Sequence, residues 1–222
     1  MRILSYNINR FSHEKLGKVL QLEADVYILP ELANQLLVHL PAGYNMEWMG
    51  DLDFKGLGVI WKSGMNVEIP QWFNPRHKYL LPLVIDGIFI IAAWPTKTER
   101  NKLKSYPQIA MEALGEYVPH FMQYPAIISG DMNCYKRQSG ETMQFSINSI
   151  VDFLSSHGIV SVYHLQTGEA IGEESTATYY HQFKKNLPFF PDYTFANIPV
   201  KDYRLMRWDA ELSDHVAQYF EI

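Results

Sequence analysis

Six short polar fragments are spread along the chain, and most of them end a run of aliphatic or β-branched residues. They are Ser5-Tyr6-Asn7, Leu29-Pro30-Glu31, Trp94-Pro95, Gly130-Asp131-Met132-Asn133, Pro191-Asp192-Tyr193 and Ser213-Asp214-His215. A strand that stops on Asp, Asn, Glu or His places that side chain on the rim of a sheet. Several such rims together would supply oxygen ligands and one imidazole, a set that suits a hard divalent cation and a phosphate ester.

The fragment around Asp131 follows the apolar run 126–128 and a glycine, and it presents Asp131 and Asn133 two residues apart. Alternation along an extended chain would aim both side chains the same way. The carboxylate could orient or deprotonate a water molecule, and the amide could bind a phosphoryl oxygen without adding charge. The alternative is an ordinary Asp/Asn turn after a strand, which is the commoner meaning of such a fragment taken alone.

Each of the other fragments also has a functional and a structural interpretation. Glu31 follows a short apolar run and is either a metal ligand or an acid at a helix N-terminus. Asp214 and His215 combine an anion with a titratable donor that could reach a phosphate oxygen, although a lone loop histidine is more often structural. Asp192 could orient an imidazole or begin a strand, and Asn7 could be a turn residue.

Strand-like and helix-like segments alternate along the chain and must position these fragments. We predict a first strand over residues 2–7 and a helix over 14–22 capped by Ser12, with further helices around 109–118 and 145–156. Asp86-Gly87 predicts a two-residue hairpin turn. We predict a mostly extended last third, with strands at 160–164, 176–183, 193–196, 201–208 and 215–220. This order indicates sheets packed together with helices outside.

Composition limits the possible classes of protein. The 222 residues, 47% of them hydrophobic, suit one domain over residues 1–222 with a sizeable core. A net charge of -5 excludes a global basic field that would draw the protein onto nucleic acid, although a local basic rim could still serve. Cys134 is the single cysteine, so no intramolecular disulfide forms. With no secretory or membrane-spanning run, we expect a soluble cytoplasmic protein and infer no obligate protein partner.

The order of the fragments at residues 4–7, 30–31, 130–133, 192–195 and 213–215 resembles the endonuclease/exonuclease/phosphatase family, which includes DNase I and exonuclease III-type nucleases. The resemblance extends from Ile3 to about Phe220. It implies an α/β fold, a four-layer sandwich of two mixed β-sheets packed face to face with helices outside. It also implies a phosphoesterase site that uses Mg²⁺ or Mn²⁺ at one end of the sandwich.

By this resemblance, Glu31 is the principal metal ligand, and Asn7 and Asp214 complete the metal shell directly or through water. Asp131 activates or orients the attacking water, and Asn133 positions that water and the phosphate. Asp192 and His215 form a carboxylate–imidazole pair that steadies the charged phosphorus centre. In-line attack on a phosphodiester requires these same functions: a positioned water, charge neutralisation and a donor.

Two departures from the family pattern concern Trp94 and the residues before Asp192. Many relatives have a Tyr or His where this chain has Trp94, whose indole has one N–H donor and no acid–base role at neutral pH. Trp94 therefore binds phosphate, stacks on substrate or packs at a strand end, and packing is the commonest role. Phe190-Pro191 stands where many relatives carry a His two residues ahead of the Asp.

Basic residues lie in the loops expected around the site. The segment 96–104 contains Lys97 and Arg100, which we predict as substrate contacts, and Lys136-Arg137 and Lys184-Lys185 are close in sequence to the acidic fragments. A local positive rim favours a phosphorylated or polyanionic substrate, although solvated loop charge explains it as well. By contrast, we expect Tyr179, Tyr180 and His181 to pack on a strand.

These features predict a metal-dependent phosphodiester hydrolase, with nucleic acid as the leading substrate. Hydrolysis of a small phosphate ester, a phospholipid head group, a nucleotide or an inositol phosphate is the enzymatic alternative, because the loops are short and the protein is acidic. A non-catalytic scaffold that binds a phosphorylated partner is the alternative of another class. A degenerate scaffold should have lost some of the site residues, whereas this chain keeps them.

Overall fold

Two six-stranded β-sheets form the centre of the computed structural model, which describes residues 1–34, 36–136 and 142–222. The first sheet contains β1 (Arg2–Ser5), β2 (Val26–Leu32), β3 (Tyr44–Leu52), β4 (Lys55–Lys62), β13 (Lys201–Leu205) and β14 (Gln218–Glu221). The second contains β5 (Val67–Glu68), β6 (Leu80–Ile85), β7 (Ile88–Ala93), β8 (Ala126–Asp131), β9 (Val160–Ser161) and β12 (Asp192–Ala196). A separate pair consists of β10 (Tyr179–Tyr180) and β11 (Pro188–Phe189).

Both sheets are mixed. The order of the first is β13-β14-β1-β2-β4-β3, with β1 and β2 parallel, and the order of the second is β5-β6-β7-β8-β12-β9, with β7 and β8 parallel. The helices are α1 (His13–Leu20), α2 (Tyr106–Phe121), α3 (Ile147–Ser156) and α4 (Val162–Thr167), and His181–Phe183 forms a 3₁₀ turn. Among the described residues, no helix is both long and apolar enough to cross a membrane.

Alternation along the strands divides the apolar side chains among three layers of core. Between the sheets lie residues such as Ile3 of the first sheet and Ile90 of the second. The next residue in each strand, Leu4 or Ile91, points to the opposite face, where helices cover the sheet. Helix α1 covers the first sheet, and α2 and α3 cover the second. The predicted four-layer α/β sandwich is therefore confirmed.

Local sequence signals account for several elements. The Ser12 hydroxyl accepts a hydrogen bond from the Lys15 amide and caps α1, as predicted. The hairpin between β6 and β7 turns at Asp86 and Gly87, which both have positive φ, as a tight two-residue turn requires. Helix α3 begins with reciprocal hydrogen bonds between Ser146 and Ser149.

The prediction of a mostly extended last third was wrong in part. Only Val160–Ser161 is a strand, and the chain then turns into α4, which buries Val162 and Tyr163 and ends at Gly168 with a φ of +74°. The predicted strand at 176–183 shrinks to β10 and a 3₁₀ turn. Strand β3 was not predicted, although Tyr44, Met46 and Trp48 alternate with Asn45 and Glu47, and it pairs with β4 along most of its length.

Candidate active site

The predicted fragments meet at one end of the sandwich. Because β1 and β2 are parallel, Glu31 near the carboxyl end of β2 and Asn7 just after β1 lie at the same edge of the first sheet. In the second sheet β8 ends on Asp131, which lies directly opposite Asp192 at the start of antiparallel β12. A cavity of about 340 Å³ opens at this place. Its lining consists of Asn7, Asn9, Glu31, Tyr106, Asp131, Asn133, Tyr135, Tyr179, His181, Pro191, Asp214 and His215.

Asp131 connects the two sheets at the base of the cavity. Its carboxylate accepts hydrogen bonds from the Asn7 side-chain amide at 2.9 Å and from the Asn133 backbone amide at 2.8 Å. Burial raises the pKa of Asp131, while the nearby His215 imidazole opposes that rise and Asp192 adds to it. A carboxyl whose pKa is raised towards neutrality is suited to accept a proton from water.

His215 and Asp192 form a buried pair beside Asp131. The His215 Nδ1 lies 2.9 Å and 3.1 Å from the two Asp192 carboxylate oxygens, and its Nε2 lies 3.9 Å from the Asp131 Oδ2. Burial by itself lowers the pKa of His215, but attraction to Asp192 and the hydrogen bond with it raise that pKa to about 9. The Asp192 contact orients the ring so that Nε2 faces Asp131.

The Glu31 and Asn133 backbones adopt left-handed conformations, with φ values of +67° and +50°. Glu31 lies where the pairing of β2 with β4 shifts register between Pro30 and Leu32, as at a β-bulge. Non-glycine residues in this region are uncommon, and they concentrate at sites where the surrounding structure imposes them. The bulge turns Glu31 out of the regular strand alternation, and its side chain lines the cavity.

A divalent cation is compatible with the donors on the first-sheet side of the cavity. Asp214 is a buried residue whose carboxylate has no hydrogen-bond or ion-pair partner within the described part of the chain. The Glu31 carboxylate lies 3.2 Å from the Lys55 ammonium, and the Asn7 Oδ1 accepts the Asn9 amide. These oxygens are the hard ligands that Mg²⁺ and Mn²⁺ prefer.

A second group, Asp131, Asp192 and His215, has ligand atoms within 4.8 Å of one another and is also compact enough for a metal ion. However, the His215 Nδ1 already bonds Asp192, and Asp131 already accepts two hydrogen bonds. These internal bonds account for the short separations without an ion. By contrast, the Asp214 carboxylate on the Asn7 and Glu31 side has no such internal bond among the described residues, so its oxygens are available to a cation.

Comparisons with known proteins identify the architecture. No protein-family model matches the chain, and no curated protein matches its sequence. An AP endonuclease from Archaeoglobus fulgidus has a similar structure with a TM-score of 0.69 at 16% identity, over 100% of this chain and 99% of that one. The endonuclease domain of TRAS1, a telomere-specific non-LTR retrotransposon, gives 0.66 at 14% identity, over 100% and 97%.

A third solved structure, an endonuclease/exonuclease/phosphatase from Beutenbergia cavernae DSM 12333, gives a TM-score of 0.64 at 14% identity, over 99% of this chain and 70% of that one. The chain has the DNase I-like fold. The resemblance inferred from the polar fragments is thus confirmed at the level of the fold.

In this DNase I-like fold, Trp94 is buried at 4% exposure and lies outside the lining of the candidate active-site cavity. Its ring packs edge-on against Tyr79 with 5.1 Å between ring centres, and the Lys55 ammonium lies 5.2 Å from its ring centre. The indole therefore has almost no surface to offer a substrate. The geometry favours the packing role for Trp94 over the two substrate-binding roles.

The predicted basic contacts lie beside the candidate active-site cavity. Lys97 and Arg100 line a neighbouring cavity of about 650 Å³. Lys136 and Lys185 line another of about 450 Å³, which shares Tyr135 with the candidate active-site cavity. Arg137 lies outside the described residues.

Several lining residues were missed in the sequence or given another role. Tyr179 and His181 were expected to pack on a strand, but both line the cavity, and the Tyr179 ring lies 4.5 Å from the His215 ring. Tyr106 lies in the first turn of α2, and its hydroxyl has no hydrogen-bond partner among the described residues. No spacing signal marks Tyr106 in the sequence, because the fold alone brings the start of α2 to the strand ends.

Proposed function

We propose that this DNase I-like protein is a divalent-metal-dependent phosphodiester hydrolase that acts by in-line attack of water on phosphorus. The observation that carries the proposal is the buried Asp192–His215 pair, whose Nε2 lies 3.9 Å from the Asp131 Oδ2 at the base of the cavity. A base and a donor placed side by side in one small cavity are groups that phosphoryl transfer requires.

In this mechanism the Asp131 carboxylate accepts a proton from the attacking water. The raised pKa of Asp131, caused mainly by burial, makes the carboxylate a stronger base than an exposed aspartate. Asn7 and the Asn133 amide hold that carboxylate in place through the bonds at 2.9 Å and 2.8 Å. Asn133 is also proposed to position the phosphate, and it contributes to the lining of the cavity.

The His215 Nε2–H donates to a phosphate oxygen as charge accumulates on it. Asp192 keeps the imidazole protonated and oriented, since the pair raises the pKa of His215 to about 9. Glu31, Asp214 and Asn7 would hold Mg²⁺ or Mn²⁺, which neutralises phosphate charge when bound. Tyr106 lines the same cavity, and its hydroxyl is proposed as a second donor to the phosphate.

Nucleic acid is the substrate that we propose first. Two of the similar structures are endonucleases by name, one an AP endonuclease and the other the TRAS1 endonuclease domain. Lys97 and Arg100 lie in a loop beside the cavity and provide positive charge for a substrate with several phosphates. The second candidate is a small phosphate ester, favoured by a catalytic cavity of only about 340 Å³ and a net charge of -5.

Hydrolysis of bis-p-nitrophenyl phosphate, with Mg²⁺, Mn²⁺ or EDTA present, tests the proposal directly. We expect turnover that requires metal, a loss of about 10²-fold or more in Asp131→Asn, and a comparable loss in Glu31→Gln. Glu68→Gln, an exposed acid of β5, is the matched control and should behave as wild type. A wild-type protein without metal-stimulated turnover would favour the non-catalytic scaffold and end the hydrolase proposal.

A substrate panel then separates the two candidates. It compares single- and double-stranded DNA and RNA with sphingomyelin, inositol phosphates and nucleotides at matched metal concentration. A preference for the polymers that weakens sharply with added salt supports a nuclease. Equal or better activity on the small esters would instead assign the protein to the second candidate.

A further inference from the structure

A basic groove adjoins the catalytic cavity. It consists of two cavities, of about 650 Å³ and 380 Å³, which share Lys78, Thr98 and Arg100. Its walls come from the segment before β6 and from the loop between β7 and α2. The basic residues of the groove are Arg76, Lys78, Lys97, Arg100, Lys102 and Lys104.

The groove has an excess of positive charge that its own acids do not neutralise. Its acidic residues form three ion pairs, Lys78–Asp51, Lys102–Glu99 and Lys104–Glu112. In contrast, Arg76, Lys97 and Arg100 are exposed and make no ion pair with any described residue. Three unpaired cations therefore lie in one depression of a protein whose net charge is -5. They mark the groove as a place that attracts anions.

Two contacts join the groove to the catalytic cavity. The Lys97 ammonium lies 5.6 Å from the centre of the Tyr106 ring, and Tyr106 lines the catalytic cavity. A second series of contacts runs through Lys55, whose ammonium pairs with Glu31 and lies over the Trp94 ring. Trp94 in turn packs against Tyr79, which lines the groove. These contacts show that the groove lies next to the catalytic cavity, within reach of an extended anionic ligand bound there.

We propose that the basic groove binds the phosphates of a nucleic-acid strand on one side of the bond to be cleaved. This inference builds on the proposed hydrolase function and assigns its substrate to the polymeric class. A small ester fills the catalytic cavity alone and leaves the groove cations without partners. A bilayer presents a broad surface that cannot enter two concave cavities, whereas a flexible strand carries one phosphate per nucleotide along such a path.

Binding of fluorescent single-stranded DNA and RNA 12-mers, measured by anisotropy in EDTA at several salt concentrations, tests the groove without hydrolysis. The variant Arg76→Gln/Lys97→Gln/Arg100→Gln removes the three unpaired cations. We expect each lost contact to weaken binding about fivefold at low salt. The slope of log affinity against log salt should flatten by about 2 in total, since each phosphate contact on a single strand contributes roughly 0.7.

Lys201→Gln is the control, because Lys201 is exposed on β13 and lies far from the cavity. In the sheet register it is opposite Glu221, which is itself opposite Arg2, at the end of β1 away from the cavity. It should bind as wild type does, and the triple variant should keep the wild-type melting temperature. Unchanged affinity and salt slope in the triple variant would overturn the inference. So would groove-dependent binding of phosphatidylserine vesicles by a protein that does not bind either 12-mer.

The failure of this inference is distinguishable from the failure of the proposed function. Metal-dependent turnover of bis-p-nitrophenyl phosphate by the wild type, together with unchanged 12-mer binding in the triple variant, would reject the groove and keep the hydrolase. Groove-dependent 12-mer binding by a protein that hydrolyses no phosphodiester would reject the hydrolase and keep the binding surface.

Discussion

The His215 imidazole holds the Asp192 carboxylate at 2.9 Å through Nδ1, and both side chains are almost completely buried. The two residues are 23 positions apart in the chain and come from a loop before β14 and from the start of β12, in different sheets. The pair therefore exists only when both sheets are assembled. It directs the second ring nitrogen towards Asp131, which makes the pair the centre of the proposed chemistry.

Replacing Asp192→Asn should lower the pKa of His215 and slow hydrolysis. Asp192 stabilises the charged imidazolium and raises its pKa to about 9, so wild-type His215 is protonated through neutral pH and deprotonates only as pH rises through that value. In the variant, deprotonation should occur at lower pH, and kcat should fall about 10²- to 10⁴-fold. NMR titration of the ring measures the shift. Asp202→Asn, at an exposed position, is the control, and an unchanged His215 titration would contradict the assignment.

Removing the Tyr106 hydroxyl with Tyr106→Phe should reduce kcat by roughly ten- to a hundredfold. This factor corresponds to the free energy of one hydrogen bond to a charged group. Stability should hardly change, since that hydroxyl has no partner among the described residues and lines the cavity. Steady-state kinetics and thermal unfolding separate the two effects. Tyr124→Phe, at a residue that is 55% exposed, should change neither quantity. Wild-type kcat in Tyr106→Phe would show that the hydroxyl has no part in the reaction.

Gly130→Ala should destabilise the protein by about 3 kcal/mol or more and disturb Asp131 next to it. Gly130 has a φ of +148°, and an added Cβ would lie 1.9 Å from the Ala93 carbonyl oxygen on the neighbouring strand. Urea denaturation measures the free energy of unfolding. Gly115→Ala, in α2, is the control and should have the opposite effect. Nothing lies within 4 Å of its added Cβ, so the free energy of unfolding should rise by about 0.5–1 kcal/mol. Equal stabilities for the two variants would refute the steric argument.

Asp25→Asn should cost most stability at pH 7 and progressively less as pH falls from 4 towards 2. Burial opposes ionisation of Asp25, but bonds from Arg2 and Lys62 lower its pKa far below the ordinary value of 3.8. A carboxyl whose pKa is lowered on folding stabilises the protein above the unfolded-state pKa, and this contribution is lost as pH falls through the folded-state pKa. Unfolding curves at pH 7, 5, 3 and 2 measure the difference from wild type. Asp86→Asn at an exposed turn is the comparison, and a difference that does not depend on pH would contradict the prediction.

Local signals in the sequence predict much of the fold. The Ser12 cap, the Asp86-Gly87 turn and the apolar runs before Asn7, Glu31 and Asp131 are short-range patterns, and the structure contains the corresponding elements. Signals of the last third are weaker. Residues 160–164 contain two valines and a tyrosine and resemble a strand, but the strand ends at Ser161 and α4 begins at Val162, so the tertiary context overrides the local β propensity.

Local patterns in the chain identify the polar residues near the strand ends and the chemistry that their side chains could perform. The folded arrangement is needed to show that Asn7 reaches Asp131 across 124 positions, that Trp94 packs into the core and that Tyr106 lines the cavity. The reason is physical. Periodicity and capping act over a few residues, whereas contacts between distant residues depend on how two twisted sheets and their helices pack.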